Sequence, residues 1–262
     1  MTTLAARTIA ALRAEHDALA ALADTLTPDQ LKGPSGASEW TVAQVFSHLG
    51  SGAEIGLAAF RAELGQAEKP GPDFNQGVWD RWNALSPEEQ AAGWRESDET
   101  YVAAFESLTP EQQESVTVNP GFLPEAIPLA SFAGMRLNEV ANHTWDIRAG
   151  LDPAAALRPE SAELVAEHLS GGLAFLIGFI AKLDLVGEPA VVEISGTPYR
   201  IVLGDEARLT TDPATATATF TGPLEASQRL LTGRLGPRYT PAGVGVSGNV
   251  TLDQLRTTFP GF

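Results

Sequence analysis

The chain has 262 residues, 44% of them hydrophobic, enough for two ordinary domains with cores of their own. Its formal net charge of −16 opposes nucleic-acid binding, which depends on clustered Lys and Arg, and otherwise favours solubility. Without a single cysteine it forms no disulfide, offers no thiolate to a metal and has no cysteine nucleophile.

The first segment, Leu4 to Leu26, places Ile9, Leu12, His16, Leu19, Ala23 and Leu26 at alternating helical spacings, one apolar stripe with a polar opposite face. Its approach, Met1-Thr-Thr-Leu-Ala-Ala-Arg, lacks the continuous apolar core of a signal peptide, and a cytoplasmic location is expected. Thr27-Pro-Asp-Gln and Gly33-Pro-Ser-Gly break this helix. Helical character resumes from Thr41 to about Leu64 and includes His48, flanked by Val45, Phe46 and Leu49. Gly50 and Gly52 follow it inside the helix, at a cost of about 1 kcal/mol each relative to alanine. Either another helix approaches closely there, or space is kept for a ligand beside His48.

Lys69-Pro-Gly-Pro-Asp reads as a loop, and Ser86-Pro-Glu-Glu as the N-cap and first turn of a helix running to about Leu108. Thr109 to Pro128 reads as an extended connection, and Leu129 to about Gly150 as a fourth long helix stopped by Gly150 and Pro153. Four long helices predict a bundle over residues 1–152, an architecture that builds metal sites from facing helices. The remainder, 153–262, predicts a small α+β unit. It comprises a helix from about Pro159 to Leu183, strands at Ala190 to Ser195, Tyr199 to Leu203 and Ala214 to Phe220, and helices near Pro223 to Leu231 and Thr251 to Phe259. The longest apolar run, Gly171 to Ala181, is too short to span a bilayer.

Glu139 and His143 stand four apart on the fourth helix, so both leave the same face one turn apart. A carboxylate and an imidazole so placed can hold one divalent cation, and His48 on another helix supplies a third donor. Three protein ligands with open positions are the arrangement of catalytic metals. Asp146, one turn beyond His143, is placed to orient that imidazole. A polar pair on a solvated face and a satisfied core histidine are the competing readings of the same residues. His16 is expected to be structural, His168 beside Glu167 to be a surface residue, and Trp79, Trp82 and Trp94 to pack the core or loops.

Gly36-Ala-Ser-Glu-Trp-Thr-Val-Ala-Gln-Val-Phe-Ser-His48-Leu and Arg136-Leu-Asn-Glu139-Val-Ala-Asn-His143-Thr-Trp-Asp146 resemble the two motifs of the mycothiol-dependent maleylpyruvate isomerase family. The resemblance covers about residues 5 to 150. It implies a DinB-like metal-binding bundle with His48, Glu139 and His143 as ligands of a divalent ion, zinc first, and mycothiol as the thiol cosubstrate. The second unit is similar to the sterol-carrier-like α+β domain of that family. There an arginine serves the active site; Arg234 matches it best and Arg229 is the alternative. Either would clamp a carboxylate in bidentate fashion. Gly233-Arg234 is followed here by Leu-Gly-Pro-Arg, closer to a sterol carrier than to the isomerases. The expectation is therefore a metal- and thiol-dependent isomerase or S-transferase acting on a small electrophile, as monomer or homodimer. A non-catalytic binder of metal or a small apolar ligand, or a regulatory protein, is the alternative.

Overall fold

A computed structural model of the chain describes residues 2–261. The contacts divide it into two compact units, Met1–Leu151 and Asp152–Phe262.

The first unit runs α1 (Leu4–Ala23), α2 (Pro28–Lys32), α3 (Val42–Glu63), α4 (Phe74–Asn83), α5 (Pro87–Glu106), α6 (Pro110–Ser115), β1 (Thr117–Val118), β2 (Ile127–Pro128) and α7 (Leu129–Leu151). The starts of these helices are written in side chains. Thr27, Thr41, Ser86 and Thr109 each accept from the backbone N–H three residues on, and the Gln or Glu there bonds back to the cap. These capping boxes satisfy donors that the first turn leaves free. The long helices α1, α3, α5 and α7 form the bundle: α3 packs on α5 and α7, and α1 on the same two. Leu12, Leu19, Phe46, Leu49, Phe60, Trp94, Phe105, Leu137 and Trp145 fill its centre.

A buried polar layer crosses that core. Asp98 on α5 accepts from Arg136 of α7 at 2.6 Å and meets His16 Nδ1 of α1 at 2.8 Å. Arg136 also donates to the Leu49 carbonyl on α3 at 2.9 Å, so one guanidinium ties α3 to α7 beside His48. His16 is structural in this sense: its other ring nitrogen lies 3.1 Å from Glu99. The glycines of α3 answer to close approach. A Cβ on Gly50 would stand 2.1 Å from the Trp82 ring, and one on Gly56 2.6 Å from the Tyr101 hydroxyl.

Two segments depart from the sequence reading. Residues 74–83, to which the sequence reading assigns no element, form α4, whose apolar side is little more than Val78 and Trp82. The connection expected between Thr109 and Pro128 contains α6 and the short antiparallel pair β1 and β2.

The second unit contains α8 (Pro159–Leu169), α9 (Phe175–Ile180), β3 (Ala190–Ile194), β4 (Arg200–Leu203), β5 (Ala207–Thr210), β6 (Ala218–Thr221), α10 (Leu224–Leu231), β7 (Gly245–Gly248) and α11 (Leu252–Thr258). The strands form one sheet in the order β5-β4-β3-β6-β7, antiparallel except for the central β3–β6 pair. Alternate residues Ala190, Val192, Ile194, Ile201, Leu203, Leu209, Ala218 and Phe220 are buried, as period-two geometry requires of a half-covered sheet. The single helix expected from Pro159 to Leu183 is two, interrupted by a turn through Gly171 and Gly172, where paired glycines make the helix costly. His168, expected at the surface, is 2% exposed because it shares the inward face of α8 with Leu164 and Val165. Among the described residues no helix is long and apolar enough to cross a membrane.

Candidate metal centre

Three donors converge within the first unit. His48 leaves α3 about two turns beyond its capping box, and Glu139 and His143 leave one face of α7 a turn apart. Their donor atoms all lie within 4.8 Å of one another. Glu139 Oε2 stands 3.1 Å from His48 Nε2 and 3.5 Å from His143 Nε2. Two ligands about 2.1 Å from a common ion at a tetrahedral angle are themselves roughly 3.4 Å apart, so the spacing fits one small divalent cation. Partial burial pushes the Glu139 carboxyl up. Hydrogen bonds from His143 and His48, and the charge of those rings, outweigh it and hold the group well below the ordinary carboxylate range. It is an anion at neutral pH, as a ligand must be.

The mouth is open. The side chains of His48 and Glu139 are 39% and 47% exposed, whereas that of His143 is 11% exposed. Behind His143 lies Asp146, fully buried, with Oδ2 2.8 Å from Nδ1. Asp146 thereby holds a proton on Nδ1 and turns Nε2 toward Glu139.

Trp40 completes the site, and the sequence reading treats it only as part of a motif. Its indole lies 5.1 Å from the His48 ring and stacks at 5.9 Å on the His143 ring. Trp40 sits in a loop, where no helical period relates it to His48. Its neighbour Glu39 is the one non-glycine among the described residues with a left-handed backbone, φ 68°.

The arginines of the second unit have different settings. Arg229 is fully buried and bonds Glu225 through Nε at 2.7 Å and Nη2 at 3.0 Å, while Nη1 donates to the Tyr239 carbonyl at 2.8 Å. Its guanidinium thus closes α10 onto the segment that follows it. Arg234 is half-buried, and its Nη1 donates to the Thr232 carbonyl at 3.1 Å.

Comparison with known proteins places this geometry among relatives. The family model described as the mycothiol maleylpyruvate isomerase N-terminal domain matches residues 12–148, the span that contains all three donors and Asp146. Two uncharacterized proteins of Mycobacterium tuberculosis, one from each of two strains, are 29% identical over 167 residues, 62% of this chain and 75% of theirs. Crystal structures of the mycothiol-dependent maleylpyruvate isomerase and of a point mutant superpose with a TM-score of 0.66 at 16% identity. The match covers 95% of this chain and 98% of that one, so the α+β arrangement of a helical unit followed by a sheet unit is shared.

Proposed function

The chain belongs to the mycothiol maleylpyruvate isomerase family, and from that premise we propose that it is a divalent-metal- and thiol-dependent isomerase or S-transferase. Its substrate in this reading is a small electrophile, carboxylate-bearing where an arginine is engaged. The convergence of His48, Glu139 and His143 on one point, with an open mouth and Asp146 behind, is the observation that carries the proposal. A divalent ion such as zinc, when bound there, lowers the pKa of an incoming thiol and supplies a thiolate at neutral pH.

The residues themselves do the holding and orienting. Glu139 contributes the negative charge that an uncharged pair of imidazoles lacks, from an oxygen 3.1 Å from His48 Nε2 and 3.5 Å from His143 Nε2. Asp146 holds the proton on His143 Nδ1, so that Nε2 presents its lone pair. The cysteine-free chain has no sulfur nucleophile of its own, so the thiol enters in trans, and mycothiol is the thiol proposed. Arg234, which best matches the Gly-Arg of the family, is the arginine we assign to a substrate carboxylate, with Arg229 as the alternative.

The test is elemental analysis of the purified protein beside His143→Ala, followed by incubation of the metal-loaded protein with mycothiol and a panel of activated alkenes and halides. We expect stoichiometric metal in the native protein and little in His143→Ala, with thiol-dependent turnover of at least one electrophile class. Equal metal content in both proteins would sink the site. Metal without any thiol-dependent turnover would leave a binding protein instead.

A further inference from the structure

We propose that Trp40 is a positioning residue of the metal centre: its indole sets the planes of both imidazoles and walls one side of the mouth. The inference rests on the metal reading above and adds to it a residue outside the donor set. The two histidines are held differently. His143 is fixed from behind by Asp146 at 2.8 Å. The His48 ring contacts Glu139 through Nε2, and among the described residues its other contacts are with rings, Trp40 at 5.1 Å and His143 edge-to-face at 4.5 Å. Aromatic packing therefore sets the plane of His48. A ligand nitrogen coordinates along its lone pair, in the ring plane, so a tilted imidazole is a weaker ligand.

The loop that carries Trp40 is built to hold it there. The Gly36 N–H donates to the Asp146 carbonyl at 2.6 Å, which docks the loop on the turn of α7 that orients His143. The Ser35 hydroxyl and N–H both donate to the Trp40 carbonyl, at 2.9 and 3.0 Å. Glu39 takes φ 68°, a conformation costly for a residue with a side chain, and turns the chain so that residue 40 faces the centre. Thr41 then caps α3, the helix of His48. An indole serving only the core would be buried. Trp40 is 37% exposed, at the same mouth as His48 and Glu139.

The experiment uses Co2+ alone as probe on the full chain, reading its dissociation constant and visible absorption band in native protein, Trp40→Phe, Trp40→Leu and Trp40→Ala, with circular dichroism confirming the helices. The expected result is a native-like band and affinity within about threefold for Trp40→Phe, which keeps a ring. Trp40→Leu and Trp40→Ala should bind 10- to 100-fold more weakly with a shifted band, the range of outer-shell substitutions. A folded Trp40→Leu or Trp40→Ala with native affinity and band overturns the proposal. So does a Trp40→Phe as impaired as Trp40→Leu, because bulk at the loop rather than a ring against the imidazoles would then be what matters. Native protein that binds no Co2+ overturns the metal reading itself, and is recognised before any substitution is made.

Discussion

Asp146 is the residue on which the chemistry of His143 turns. It is fully buried, and its carboxylate meets the imidazole N–H at 2.8 Å, a contact that offsets part of its desolvation. Replacing it by Asn keeps the shape and removes the charge; replacing it by Ala frees the ring to rotate. We expect Asp146→Ala to weaken Zn2+ binding 10- to 100-fold in competition titrations with a chromophoric chelator, and Asp146→Asn to lose less. An unchanged affinity in Asp146→Ala would show that α7 and the Trp40 ring orient His143 without it. This much was legible beforehand, because residues 139, 143 and 146 follow helical spacing and a helix fixes where such residues point. Trp40 was not. Its position depends on a left-handed residue and on a hydrogen bond to a carbonyl about a hundred residues away, and neither has a local pattern.

At the scale of elements, the donors from α3 and α7 stay in register because Arg136 bonds the Leu49 carbonyl and Asp98 holds Arg136. Asp98 is 1% exposed. Burial pushes its carboxyl up, but the Arg136 charge and the bonds from His16 and Arg136 win, and its pKa lies below the ordinary carboxylate value. A depressed folded pKa contributes stability that is complete above the unfolded value near 4 and is lost as pH falls through the folded one. Asp98→Asn should therefore cost about 3–5 kcal/mol at pH 7, the usual penalty for leaving one buried charge uncompensated. In urea titrations the gap between native protein and variant should stay constant down to about pH 5 and narrow below pH 4. A gap that stays constant down to pH 3 would mean that another group carries the effect. Elements with a strong apolar period, α1, α3, α5 and α7, could be read from sequence. α4 was not read, although Phe74, Val78 and Trp82 follow helical spacing, because so short a stripe is interrupted by Gly77 and follows a proline-glycine loop; the helix is held by Trp82 packing into the space at Gly50. The break between α8 and α9 hid in an apolar run that reads continuously as helix until the glycine pair is counted against it.

For the whole molecule, the net charge of −16 bears on how a metal test must be read. Any divalent cation relieves self-repulsion on so acidic a surface, and a rise in stability with added cation does not by itself identify a site. A site makes a sharper demand. At free Zn2+ one hundred times its dissociation constant, linkage adds ~2.7 kcal/mol to the state that binds. For a unit of about 150 residues that is roughly 5–10 °C in melting temperature. The rise should appear with Zn2+ or Co2+ at micromolar levels, be reversed by EDTA, be absent with Mg2+ at the same concentration, and vanish in His143→Ala. Hydrogen exchange locates it, because the donors sit on α3 and α7 and their amides are the ones whose opening the ion must slow. Equal stabilisation by Mg2+, or the same Zn2+ shift in His143→Ala, would assign the effect to surface charge. Protection confined to α3 and α7 would assign it to the two helices that His48, Glu139 and His143 join.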